Sequence, residues 1–222
     1  MGILEEKIIM AYKILNNNKK YVYVHIPKTG GTTIEHIFDL GKVAMGSIVG
    51  HITLKDIKNL MDDYEEHISF TTVRNPWSWY VSWYFYLQQR GGRDPDFIPE
   101  FENIEKKGNT FTDFIRFIYD NRDTLSFDRG DFKVLKYQQM LEWGYDGEKY
   151  VDHFIKIEEL SEEKLREIGL YVKYTHMKKN QSKHDHYSTY YTDETRERVR
   201  NMHKDDIKHF NYKFEHYSPT LY

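Results

Sequence analysis

The sequence predicts an α/β fold, a mostly parallel central sheet flanked by helices in three layers. Two observations carry this expectation. Short runs rich in β-branched and aromatic residues recur at 21–26, 67–73 and 151–157, and each is followed by a stretch whose apolar residues lie three or four apart. Strands that alternate with helices in this way need crossover connections, which lay the helices over a parallel sheet. With 222 residues, 39% of them hydrophobic, the chain can bury a core, and no repeat or low-complexity tract divides it. A single domain over residues 1–222 is expected.

Taken in order, Ile3, Leu4, Ile8, Ile9, Tyr12 and Leu15 recur at helix-like intervals until Asn16-Asn17-Asn18, so a leading helix is predicted. Tyr21-Val22-Tyr23-Val24-His25-Ile26 reads as a buried strand ended by Pro27. Residues 32–40 then carry Ile34, Ile37 and Phe38 at helical spacing. Thr53 and Asp56 form a capping-box pattern ahead of Leu54, Ile57, Leu60 and Met61, which predicts a second helix. A strand over 67–73, stopped by Arg74-Asn75-Pro76, leads into an aromatic-rich helix over 77–89. Residues 90–108, with Gly91-Gly92, Pro95 and Pro99, read as a long substrate-facing loop. Helices over 111–119, 161–168 and 192–210, the last capped by Thr192, and a strand over 151–157 complete the expectation.

Composition excludes several classes of function. A net charge of -3 supplies no global basic field for a nucleic-acid backbone, so no nucleic-acid partner is expected. The chain has no cysteine, which removes disulfides, zinc-thiolate sites and thiol nucleophiles. Residues 1–18 mix charge with apolar residues and lack a signal-peptide run, and no long apolar stretch predicts a membrane span. A cytoplasmic protein, of a microbe or of a virus in an infected cell, is the expected setting.

The chemistry concentrates at two strand ends. In His25-Ile26-Pro27-Lys28-Thr29-Gly30-Gly31-Thr32-Thr33, glycines let successive amides face one concavity, Lys28 adds a full charge, and Thr32 and Thr33 add hydroxyl donors. Such a loop suits phosphate or sulfate. It is not a Walker A loop, because the lysine precedes the glycines. The second cluster runs from Arg74 to Ser82: an arginine there can fork onto a phosphate, and Ser82 offers a further donor.

Together and in this order, the two clusters resemble the 5′-phosphosulfate loop and the 3′-phosphate motif of sulfotransferases of the carbohydrate and family-2 type. Gly50-His51-Ile52-Thr53 is similar to the segment in which these enzymes often carry a His. The stretch 180–184, then Tyr190-Tyr191, Asp206, Phe210, Tyr212 and Phe214, is similar to their closing segment. The resemblance implies a P-loop-like sulfotransferase fold and a donor, 3′-phosphoadenosine 5′-phosphosulfate (PAPS), with no metal required. It implies that Lys28, Thr29, Gly30, Gly31, Thr32 and Thr33 hold the phosphosulfate, that Arg74 and Ser82 hold the 3′-phosphate, and that Lys28 and His51 are catalytic. One departure stands out. The family commonly has a second Arg five residues after the first, where this chain has Trp79, and Lys183 is the cation that would compensate.

His51 is the candidate base because imidazole titrates near neutral pH. His25, at the end of a buried strand, and Glu35, in the helix after the loop, are the competitors. The acceptor implied is a carbohydrate hydroxyl. Two other readings stand beside this one: an ATP-dependent small-molecule kinase, which the missing Walker lysine disfavours, and a non-catalytic nucleotide- or glycan-binding module of the same fold, which Trp79 favours.

Overall fold

The structure is a computed structural model and describes residues 13–38, 40, 51–90, 110–123, 126–129, 132–136, 139–172 and 184–217. The chain forms two compact units, residues 1–74 with 140–181 and residues 75–139 with 182–222.

The first unit is built on a four-stranded sheet in the order β1-β2-β3-β6, with β1 Lys13–Asn16, β2 Lys19–Val24, β3 Ile68–Val73 and β6 His153–Lys156. β2 pairs in parallel with β3, and β3 with β6. Crossovers join them: α1 Gly31–Ile37 and α2 Leu54–Leu60 lie between β2 and β3 in the chain. α6 Glu162–Glu167 follows β6. The α/β class and the mostly parallel sheet are therefore as the sequence predicts. Successive residues Tyr21 to Val24 and Ser69 to Val73 are all buried, the mark of strands covered on both faces. Tyr21, Tyr23, Ile34, Phe70, Ile155 and Leu165 belong to one apolar cluster around this sheet.

The predicted leading helix is corrected at its end. Its residues before Lys13 lie outside the described ones, and Lys13–Asn16 form an edge strand antiparallel to β2, with Asn16 opposite Lys19. The physical reason is the turn: Asn17 and Asn18 both take left-handed backbone, φ 49° and 60°, the geometry of a tight two-residue hairpin that asparagine tolerates. Ile14 is then buried and Leu15 exposed, a period of two rather than 3.6.

α2 starts at the predicted capping box, with the Thr53 hydroxyl accepting from the Asp56 amide and the Asp56 carboxylate accepting from the Thr53 amide. The second unit holds α3 Pro76–Arg90, α4 Phe111–Asn121, a hairpin of β4 Ser126–Arg129 and β5 Phe132–Lys136, α7 Asp193–Met202 and α8 Lys204–Phe210. α5, Met140–Trp143, belongs to the first unit. The expected single helix over 192–210 is two helices. It starts at the Thr192 cap as predicted, but breaks at His203, whose imidazole lies fully buried with Nδ1 2.7 Å from Asp206 and Nε2 3.2 Å from the Tyr80 hydroxyl. The hairpin and α5 were not legible in the sequence. The expected loop over 90–108 lies, after Arg90, outside the described residues.

Candidate active site

In the first unit, β2 and β3 run side by side and end together, so the segments that follow them, Lys28 to Thr33 and Arg74, meet at one edge of the sheet. In open parallel sheets, ligands bind at such carboxyl ends. Lys28 takes left-handed backbone at φ 62°, unusual for a residue with a Cβ. The Arg74 guanidinium reaches across from the neighbouring strand, and its Nη1 donates to the Lys28 carbonyl at 3.2 Å. The Arg74 amide is placed from the other side by the Met140 sulfur, 3.3 Å away. The Arg74 guanidinium is thus tied to the main chain of Lys28, so that two cation-bearing residues from two strand ends adjoin.

The glycines have separate reasons. Gly30 lies at φ 95°, which a side chain would strain, and a Cβ there would fall 2.3 Å from Ile157 Cδ1. Gly31 opens α1, where a Cβ would fall 1.7 Å from His25 Nε2. The turn closes through the Thr33 amide, which donates to the Gly30 carbonyl at 2.8 Å. Thr32 is half-buried and Thr33 buried.

Thr29 differs from the others. Its side chain is fully buried, donating to the Ile26 carbonyl at 2.8 Å and lying 3.2 Å from the Thr72 hydroxyl, so only its backbone is left to face a ligand. The same network holds the Tyr23 hydroxyl 2.7 Å from Thr72. Burial, reinforced by the nearby Glu35 charge, pushes the Tyr23 phenol far above its usual range and outweighs the Thr72 hydrogen bond. Tyr23 is therefore a neutral, structural phenol.

All three candidate bases fall together. His51 is half-buried just ahead of the Thr53 cap, its ring 4.5 Å from that of His25. His25 Nδ1 lies 3.2 Å from Glu35 Oε1, close enough for an ion pair but without the alignment of a hydrogen bond. The His25–Glu35 contact was not legible in the sequence: the nine residues between them cross a turn whose path only the fold defines. Among the described residues, no group of three His, Asp or Glu side chains is arranged to hold a metal ion.

A comparison with protein-family profiles matched residues 13–213 to the Sulfotransferase family. The chain belongs to that family. Searches of curated proteins and of solved structures found no match. The matched span reaches into both units and takes in Lys28 to Thr33, His51 and Arg74 to Ser82. Within this sulfotransferase, Ser82 sits on α3 in the second unit, 5% exposed. Lys183 lies outside the described residues. Trp79, at the position where the family commonly has a second Arg, packs edge-on against Tyr80, Trp83 and His203 with ring centroids 5.1, 6.1 and 5.6 Å away. Its place is taken up by aromatic packing within the second unit. Among the described residues, no helix is long and apolar enough to cross a membrane.

Proposed function

We propose that this sulfotransferase moves a sulfuryl group from PAPS to an acceptor hydroxyl, with a carbohydrate as the acceptor class. The observation that carries the reading is the hydrogen bond from the Arg74 guanidinium to the Lys28 carbonyl, which brings an arginine and a lysine residue together where adjacent parallel strands end, beside a glycine turn. The donor brings two anionic ends, and a pair of cations from neighbouring strands is a fitting receptor for both.

The residues divide the work as follows. Lys28, the Gly30 to Thr33 amides and the hydroxyls of Thr32 and Thr33 would hold the phosphosulfate, and Thr29 would contribute backbone only. Arg74, Ser82 and Lys183 would hold the 3′-phosphate, which distinguishes this donor from ATP. In transfer, the acceptor oxygen forms the new bond to sulfur. The bond from sulfur to the 5′-phosphate oxygen breaks with its electron pair going to that phosphate, and the hydroxyl proton goes to His51. Charge spreads over the outer oxygens of a loose, in-line transition state, as in phosphoryl transfer, so positioned cations and amides supply much of the acceleration. Lys28 would meet the charge that grows on the leaving phosphate. The acceptor class rests on the likeness to carbohydrate sulfotransferases.

Calorimetric titration with 3′-phosphoadenosine 5′-phosphate (PAP), AMP and ATP tests the donor. Tighter binding of PAP than of either other nucleotide is expected; equal or absent PAP binding would sink the proposal.

A further inference from the structure

His25 and Glu35 are an expensive arrangement in an unusual place. The Glu35 side chain is 7% exposed and that of His25 is 10% exposed, so a carboxylate has been taken out of water with an imidazole as its one ion-pair partner among the described residues. Burying a carboxylate costs several kcal/mol unless a partner compensates, and truncating one member of such a pair is strongly destabilising. The pair stands between the anion loop and the candidate base.

Both nitrogens of His25 are turned into the protein. Nδ1 faces Glu35, and Nε2 is pressed against Gly31 so closely that no Cβ could intervene. One face of the ring stacks on Tyr23, with centroids 5.7 Å apart and planes 27° from parallel. His51 lies against the ring at 4.5 Å. An imidazole enclosed in this way offers almost no surface to an acceptor hydroxyl, and the Glu35 side chain is buried as deeply. Neither is therefore placed to serve as the base. Each touches what must be placed well: His25 contacts the loop glycine and the His51 ring, and Glu35 comes from α1, the helix that the loop opens.

We infer that His25 and Glu35 are positioning residues for sulfuryl transfer: the Glu35 carboxylate fixes the His25 ring, and that ring sets both the approach of Gly31 in the anion loop and the orientation of His51. The inference rests on the donor reading above. It gives Gly31 a function-specific reason to be glycine, since the missing Cβ is the space the positioning ring occupies.

The test uses the full chain, with PAP affinity by calorimetry and the acceptor-free hydrolysis of PAPS to PAP and sulfate as separate readouts. Glu35→Gln keeps the volume and removes the charge. It is expected to stay folded, to bind PAP within about three-fold of wild type, and to hydrolyse PAPS about ten-fold or more slowly, a loss in the range of a misplaced acid-base group. Glu35→Asp should recover part of that rate, which a merely structural role would not produce. Gly31→Ala should weaken PAP binding about 100-fold when His25 is present and less than about ten-fold in a His25→Ala background, because contacting residues give non-additive cycles. Should Glu35→Gln fail to fold, this cycle decides. Wild-type protein that binds PAP no better than AMP would overturn the donor reading and this inference with it. Wild-type protein that binds PAP, alongside a folded Glu35→Gln that hydrolyses PAPS at the wild-type rate or a Gly31→Ala cost equal in both backgrounds, would overturn the inference alone.

Discussion

Replacing Gly30 by alanine tests the architecture of the anion loop through two separable costs. At φ 95° the new residue stands in left-handed backbone, which costs an L-residue about 1–2 kcal/mol. Its Cβ would also lie 2.3 Å from Ile157 Cδ1 and 3.0 Å from Cγ1, so Ile157 or the loop must move, at about 1–3 kcal/mol for overpacking of this kind. Against this, alanine lowers the entropy of the unfolded chain, a gain of about 0.4–1 kcal/mol. The balance is a loss of about 2–3 kcal/mol, which for a chain of this size lowers the melting temperature by roughly 5–10 °C. Ile157→Ala removes both clashing atoms while leaving φ untouched. In that background Gly30→Ala should cost only about 1 kcal/mol, and the difference is the steric part. Urea unfolding of the four proteins measures the cycle. A Gly30→Ala cost below about 0.5 kcal/mol, or equal costs in the two backgrounds, would refute the loop geometry and with it the placement of Lys28 and Gly31.

Three further outcomes are expected. Lys28→Ala should abolish detectable sulfuryl transfer, since removal of a single transition-state donor already costs about 100- to 1,000-fold and this one carries a full charge; folded protein with ordinary turnover would exclude Lys28 from the reaction. His51→Ala should lower turnover about 100-fold or more while leaving PAP affinity within a few-fold, and normal turnover with a working acceptor would move the base elsewhere. Asp146, its carboxylate buried, is pushed up by desolvation but pulled down more by the amides of Lys149 and Glu148 and by Lys58 at 3.0 Å, which leaves it at about 2. Because the folded value is depressed, its stabilisation is complete above about pH 4 and is lost as pH falls toward 2. Asp146→Asn should therefore lower stability by about 1–2 kcal/mol at neutral pH and flatten the acid dependence between those limits, measured by urea unfolding at each pH.

The sequence by itself determined the periodic elements and the chemistry at their ends. Tyr21 to Ile26 and His67 to Val73 read as strands because β-branched and aromatic residues fit a pleated, buried surface. The caps at Thr53 and Thr192 read as helix starts because a side-chain oxygen must satisfy orphan amides. Lys28, Gly30, Gly31 and Arg74 were legible for the same kind of reason: each is a local device, and local devices leave local patterns. What lay beyond local pattern was misread or missed. Lys13 to Asn16 continue a helical spacing in the sequence, yet pairing with β2 through the Asn17-Asn18 turn makes them a strand. His203 breaks a continuous helical pattern because its partners, Asp206 and Tyr80, include one 123 residues away.

The site shows the same division. Sequence put His51 ahead of His25 and Glu35 as the base, but could not show what surrounds each. The fold adds the surroundings of each: His25 is enclosed against Glu35 and Gly31, and His51 is half-buried beside the His25 ring. The resemblance likewise put Thr29 among the residues that hold the phosphosulfate, and only the fold shows its hydroxyl turned inward to Ile26 and Thr72. Residue type and spacing specify which groups a loop can offer; which way each group faces depends on strands that meet across dozens of residues, and that is a tertiary fact.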